Sequence, residues 1–186
     1  MSDSWYTEKL QSTLRLDLDV PTLTEERTIV AVAHELDEIV IAFSGSRTTD
    51  ADPSRSIAAQ MVYGGEIVDE RRISRSHAEF IVRLPEPLAM GERHTYQVAV
   101  ENSGPQETMK PFYVLTPRGV CASFGARVKF PVGAYPKQVW RIDGLVAAAV
   151  NDLEPQSESI AINNVGEAYA EFHSLELGRS YGIGWS

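Results

Sequence analysis

The sequence predicts an all-β protein built from two successive β-sandwich units. From residue 120 to 130, apolar and polar residues alternate with the two-residue period of a strand that has one buried face. Segments 28–34 and 38–44 are apolar on both faces, which is typical of strands that are covered on both sides. Beyond the very N-terminus, no stretch of ten residues or more has a helical period. We place the units at residues 1–104, with an N-terminal extension, and 105–186, and expect about seven strands in each.

The first unit begins with Trp5, Tyr6 and Leu10, which precede an alternating segment at 14–20 that ends at Pro21. Segments 28–34 and 38–44 are expected to pair as a hairpin around residues 35–37. The segment 45–55 is rich in Ser, Thr and Asp and is predicted to be a polar loop. The remaining strands of this unit are predicted at 57–68 (a pair interrupted at Gly64-Gly65), 77–84 and 94–100.

A linker is predicted at 101–110, where Ser103-Gly104-Pro105 lies between the two sets of strands. In the second unit, Asp143-Gly144 joins two apolar runs, which predicts a two-residue hairpin with Trp140 opposite Ala147. Trp140 is therefore expected to be a buried anchor. Gly182 and Gly184 leave one face of the last strand bare, so a neighbour can approach closely. The remaining strands are predicted at 112–115, 120–130, 159–162, 168–172 and 181–185.

A faint internal repeat supports two units. Leu88, Gly91, His94, Tyr96 and Val98 have the spacing of Leu175, Gly178, Tyr181, Ile183 and Trp185. The alternative is that any two sets of alternating strands can be matched by sliding one along the other.

The segment 175–183 resembles the turn that enters a late strand of fibronectin type III and related immunoglobulin-like domains. In those domains a leucine, a turn residue and a tyrosine form a tyrosine corner, whose phenol bonds back to the backbone. Here Leu177 precedes Gly178 where the fibronectin pattern usually has a proline, so the subfamily stays open. The resemblance implies that Tyr181 bonds to the chain a few residues before it.

A second resemblance covers residues 40–185, which look like an uncharacterised β-rich region of actinobacterial regulators that follows a helix-turn-helix. The matching segments are Tyr63-Gly64-Gly65, Phe112-Tyr113-Val114, Arg127-Val128-Lys129-Phe130, Pro136-Lys137-Gln138-Val139-Trp140 and Tyr181-Gly182-Ile183-Gly184-Trp185. This sequence shows no helix-turn-helix of its own. The resemblance therefore implies a sensing or interaction role, and DNA binding is not carried over.

Composition and charge argue against several classes of partner and location. The net charge of −9 comes without a basic stripe, so we expect no direct nucleic-acid partner. No apolar run approaches the ~20 residues needed to span a bilayer, and the first residues do not resemble a signal peptide. The single cysteine cannot form an internal disulfide. We expect a cytoplasmic protein with no membrane contact.

The histidine, serine and cysteine residues form no pattern that is typical of a catalytic site or a metal site. The four histidines lack the spacing of metal ligands, and only His94 lies on an expected inward face. Phe43-Ser44-Gly45-Ser46 lacks the pattern of a nucleophile elbow. Cys121 has apolar neighbours and is expected to be an inert thiol. We predict no metal, no cofactor and no catalysis.

Two groups of residues are candidates for contacts with a partner. Trp5, Tyr6 and Leu10 either cap the first unit or dock on a second protein. Arg71, Arg72, Arg75 and His77 form either a site for an anion or an acidic partner, or a solvated loop balanced by neighbouring acids.

Three functions stay open at this point. The first is a non-catalytic sensing or protein-interaction module of a cytoplasmic bacterial protein with a protein partner. The second is a small-molecule enzyme with a cleft between the units, and the third is a structural or assembly protein, for instance of a phage particle.

Overall fold

The computed structural model describes residues 4–45, 57–74, 77–102, 109–152 and 158–186. It confirms the all-β prediction, since these residues form twelve strands, a short 3-10 helix at Ala147–Asp152 and no α-helix. The strands in chain order are β1 (Trp5–Arg15), β2 (Thr22–Ala31), β3 (Leu36–Ser44), β4 (Ile57–Tyr63), β5 (Glu66–Ser74), β6 (His77–Leu88), β7 (Arg93–Asn102), β8 (Phe112–Leu115), β9 (Cys121–Lys129), β10 (Val139–Val146), β11 (Glu167–Leu175) and β12 (Arg179–Trp185).

The strands form one long sheet and two small ones. The long sheet has six strands in the order β11-β9-β1-β2-β7-β4, and β1 pairs in parallel with β9 and antiparallel with β2. The first small sheet has the order β3-β6-β5, and the second has the order β10-β12-β8. Each small sheet packs against a different half of the long sheet, which makes the layered architecture a β-sandwich.

Two separate cores result from this packing. The first core joins β2, β4 and β7 to the first small sheet, with Ile29, Phe80 and Val98 fully buried. The second core joins β1, β9 and β11 to the second small sheet, and Phe124 stacks on Phe172 there at 5.7 Å between ring centroids. The long sheet runs unbroken behind both cores.

The first strand differs from its prediction. It begins at Trp5 and ends at Arg15, so the expected strand at 14–20 is wrong. Because β1 pairs with β9, Leu10 and Leu14 belong to the second core although they lie near the start of the chain. Position 104 and most of the expected linker lie outside the described residues, and the division at 104–105, with about seven strands in each unit, stays a prediction.

The predicted hairpin between 28–34 and 38–44 is wrong. β2 is paired on both edges, with β1 and with β7, so it has no free edge for β3. β3 instead pairs with β6 in the first small sheet. The chain crosses between sheets at 32–35, where Glu35 has a positive φ of 57°. Both segments line the first core, but the expected cover on both sides is wrong for β3, whose other face is exposed, with Val40 at 48%.

The predicted hairpin at Asp143-Gly144 is also wrong. β10 runs through these residues and pairs with β12, with Ile142 opposite Gly182 and Leu145 opposite Ser180. Two residues of β10 therefore oppose Tyr181 alone, which is a β-bulge. Gly144 has φ +70°, the left-handed conformation that such a bulge shares with the expected turn. The local conformation was predictable, and the partner strand was not.

Trp140 is buried as predicted, with 4% of its surface exposed, but its neighbour across the sheet is Gly184 and not Ala147. A Cβ atom at Gly184 would lie 2.5 Å from the Trp140 ring, and one at Gly182 would clash with the Tyr113 carbonyl oxygen. The predicted close approach along the bare face of β12 is therefore confirmed.

The tyrosine-corner bond is present. The backbone N–H of Glu176 donates to the Tyr181 hydroxyl at 2.9 Å, five residues before it. The internal repeat relates β7, which lies in the long sheet, to β12, which lies in the second small sheet. The immunoglobulin-like assignment itself stays a prediction.

Candidate functional site

The two cores meet along a strip of the long sheet where β1 pairs with β2. Across this strip, which we call the seam, three pairs of residues face each other: Leu14 and Leu23, Ser12 and Glu25, and Leu10 and Arg27. Leu23 packs against both cores, so the seam marks the boundary between them.

An apolar cleft of about 110 Å³ opens at one end of the seam. Its floor includes Leu14 and Leu23 from the seam and Val100 from β7. One wall is the end of β3, at 43–45, and the other is β8, at 112–114. Pro21, Ile57, Asn102 and Met109 complete the lining. No charged side chain lies among these described lining residues.

Both walls of the cleft are edges of sheets. β3 is the outermost strand of the first small sheet and β8 the outermost strand of the second. Within the described part of the chain, no strand pairs with the outer edge of either one. The outer edge of a sheet carries backbone N–H and C=O groups that can pair with another strand.

A buried ion pair lies beside the cleft on the seam. Glu25 is only 4% exposed, and Arg27 donates to its carboxylate at 2.9 Å. Burial acts to lower the pKa of the Arg27 guanidinium, but the nearby groups, first among them the Tyr96 phenol and the Glu25 carboxylate, outweigh burial and raise the pKa overall. Arg27 therefore keeps its charge in the interior.

Two tyrosines from opposite sides approach this pair. The Tyr113 hydroxyl donates to Ser12 Oγ at 2.9 Å, while neither the Tyr96 hydroxyl nor Arg27 Nε has a hydrogen-bond partner among the described residues. Burial raises the pKa of Tyr96 to about 12 and that of Tyr113 well above its ordinary value. Both phenols are therefore neutral donors at physiological pH.

The sequence contained an unused signal for this cluster. Leu23, Glu25, Arg27 and Ile29 share one face of a strand, so two charges interrupt an inward-facing apolar series. If residues 22–31 had been predicted as one strand, Glu25 and Arg27 would have been expected on its buried face. Sequence reasoning missed it because the strand was expected to begin at residue 28.

A polar bridge joins the first small sheet to the loop between β8 and β9, near the cleft. Ser44 Oγ lies 2.7 Å from His77 Nδ1, and Arg118 donates to His77 Nε2 at 3.3 Å and lies 3.5 Å from the Glu79 carboxylate. Nε2 of His77 also lies 3.8 Å from the Glu79 carboxylate.

The first predicted contact group lies within β1. Leu10 is 1% exposed in the second core, Trp5 is half-buried against the first core, and Tyr6 is half-buried opposite Val30. The position of Trp5 matches the capping alternative, whereas Leu10 belongs to the second core and does not cap the first unit. A docking role for the group stays a prediction.

The second predicted group is not brought together at one point. Arg71 and Arg72 lie on the exposed strand β5 and pair with Asp69 at 3.7 Å and Glu70 at 2.7 Å. His77 belongs to the bridge with Ser44, and Arg75 lies outside the described residues. The balance by neighbouring acids matches the solvated alternative, and the anion site stays a prediction.

The remaining candidates have structural surroundings. His94 Nε2 lies 2.6 Å from the Gly64 carbonyl oxygen, and Cys121 is buried, which raises the pKa of its thiol. No group of three or more His, Cys, Asp or Glu residues in the described ranges could hold a metal ion. The same ranges contain no helix of the length and hydropathy that crossing a membrane would require.

The fold is similar to parts of longer proteins of known structure. M1 zinc metallopeptidase from Deinococcus radiodurans matches with a TM-score of 0.52 and 14% identity, over 98% of this chain and 43% of that chain. A variant of the same enzyme matches with a TM-score of 0.53 and 14% identity, over 98% and 42%. A protein from Parabacteroides distasonis with a provisional assignment as a protease matches with a TM-score of 0.54 and 8% identity, over 100% and 41%.

At such low identities the likeness shows the fold alone. The chain spans about two fifths of the length of these proteins, so the fold occurs there as one part of a longer chain. No protein-family model matches the sequence, and no curated protein matches it.

Proposed function

We propose that this chain is a non-catalytic β-sandwich module that acts by binding another protein. The observation that carries the proposal is the partial match: nearly the whole chain corresponds to about two fifths of longer peptidase chains. A fold that forms one part of such chains is suited to work beside a second protein unit. A cytoplasmic bacterial location belongs to the same proposal, and a single buried cysteine supports it.

The seam supports this function more than an enzymatic one. Its cleft has no charged side chain and no histidine among the described lining residues. A small-molecule enzyme would need titratable groups that converge on the cleft. The sensing role implied by the regulator resemblance is a second form of the same proposal, with the partner's binding controlled at the seam.

Purified full-length chain tests the proposal directly. After incubation with zinc and dialysis, we expect no retained metal by elemental analysis and no turnover of fluorogenic aminoacyl substrates. Retained zinc at one ion per chain, or turnover that Ser44→Ala abolishes, would show an enzyme. Light scattering tests the alternative of a structural or assembly protein, because such a protein would form large oligomers.

A further inference from the structure

We propose that the cleft at the seam binds an extended peptide segment of the partner protein, which adds a strand to β8 and inserts one aliphatic side chain. This inference rests on the proposed function and specifies the partner's chemistry. Addition of a strand to an open edge is a recurrent mode of peptide recognition, in which backbone bonds give affinity and side-chain pockets give specificity.

The hydrogen-bond pattern shows which groups of β8 are open. Trp185 N–H donates to the Pro111 carbonyl at 3.0 Å, so the bonding positions opposite β12 are 111, 113 and 115. The N–H and C=O of Val114 therefore point away from β12, toward the outer edge. Among described residues, neither group has a backbone partner across that edge. A peptide strand would supply both a donor and an acceptor here.

The volume of the cleft limits the size of the peptide side chain that can enter it. An apolar cavity of roughly 150 Å³ holds benzene, which has six carbon atoms. The cleft of about 110 Å³ therefore suits about four carbon atoms, the size of a leucine or isoleucine side chain. Its described lining carries no charge to pair with a charged residue, so an ionised side chain would lose its hydration without compensation.

The floor gives the cleft a fixed shape. Leu14 is 5% exposed and Val100 is 5% exposed, and both belong to the packed cores. Tyr113 is held from below by its bond to Ser12 at 2.9 Å. A preformed floor lowers the ordering cost of binding, because few groups of the protein lose freedom.

The test is a displayed library of random linear peptides of about ten residues, selected against the full-length chain. We expect enriched peptides to share one Leu, Ile or Val and no proline beside it. N-methylation of the selected peptide at alternate amides keeps its side chains but blocks strand pairing, and should weaken binding about tenfold or more.

Two protein variants sharpen the result. Val114→Trp narrows the cleft and should abolish binding, while Val146→Trp places the same side chain on an exposed position of the same small sheet and should not. Melting temperatures verify that both variants fold. If Val114→Trp does not fold, the N-methylated peptide still decides the question with the native chain.

Several results would overturn the inference. These are an absence of enriched peptides, equal binding by Val114→Trp, and equal binding of the N-methylated peptide. Self-association that Val114→Trp removes would assign the edge to a second copy of this chain, and selective uptake of free hydrocarbons without peptides would make the cleft a small-molecule pocket. The zinc and turnover assays are independent of these results and test the proposed function separately.

Discussion

The two cores are apolar, whereas the seam between them mixes leucines with buried polar and charged side chains. In the second core, Phe124, Val128 and Phe172 point inward from the long sheet and have at most 1% exposure. At the seam, the same inward face carries Ser12, Glu25 and Arg27. The cores lie under different small sheets and meet where β1 pairs with β2. Polar groups are therefore buried at the boundary between the cores, where the Tyr113 hydroxyl of β8 bonds to Ser12.

The largest expected effect concerns the ion pair. Glu25→Ala leaves Arg27 charged and buried without compensation, which should lower the free energy of unfolding by about 3–5 kcal/mol. Urea denaturation measures it. Replacing both residues by methionine should cost less than the single change, since no unpaired charge remains.

The exposed pair of Glu8 and Arg93 provides the matched control. Their side chains are 37% and 62% exposed, so Glu8→Ala should cost less than about 1 kcal/mol. If Glu25→Ala cost no more than Glu8→Ala, the seam would not differ from the surface and the comparison would fail.

High pH should destabilise the fold through Tyr96, a buried residue of the first core that lies opposite Arg27. A buried tyrosine binds its proton more tightly in the folded state, so its contribution to stability is complete below its unfolded pKa of about 10. As the pH rises from about 10 toward the folded pKa of Tyr96, about 12, that contribution is lost. At about 1.4 kcal/mol for each pKa unit, the loss from Tyr96 amounts to about 2–3 kcal/mol.

Unfolding curves across this pH range, combined with the phenolate absorbance, measure the effect. Tyr96→Phe should make the stability fall less steeply between pH 10 and 12. A slope that stays unchanged in Tyr96→Phe would contradict the burial of this phenol.

Close packing in the second small sheet can be tested at Gly184. A methyl group there meets the Trp140 ring, so Gly184→Ala should cost about 1–3 kcal/mol in chemical denaturation. Gly125→Ala is a useful contrast, because its Cβ would meet the flexible Gln11 side chain, which can move aside. Equal losses for the two substitutions would mean that Trp140 is not held in place.

The smallest expected changes in stability distinguish the two buried tyrosines near the seam, Tyr113 and Tyr96. Tyr113→Phe breaks the bond to Ser12 and should cost about 1 kcal/mol. Tyr96→Phe removes a buried hydroxyl that has no partner among the described residues, so it should be neutral or stabilising at neutral pH. A cost for Tyr96→Phe as large as that for Tyr113→Phe would show that its hydroxyl has a bound partner, such as a water.

Local patterns predicted much of this molecule. The strand at 121–129, the burial of Trp140 and the bond of Tyr181 each depend on residues close together in the chain. Which strands pair with each other was harder to predict from the sequence. β1 pairs with β9, which lies more than a hundred residues later, and no local signal specifies such a partner.

The candidate site was less predictable than the fold for the same reason. The cleft lies between β3 and β8, which belong to different sheets, and its floor comes from a third. Only the charges of Glu25 and Arg27 on an inward face were readable in advance. Both failed hairpins arose from assuming that neighbouring strands in the chain pair with each other.

The most direct test of the account is an NMR measurement of intermolecular contacts between a selected peptide and the isotope-labelled full-length chain. We expect nuclear Overhauser effects between the peptide backbone and the Val114 amide, and between one peptide methyl group and Leu14 or Leu23. Contacts confined to the outer face of the long sheet, for instance at Thr28 and Thr95, would contradict the assignment of the seam as the binding site.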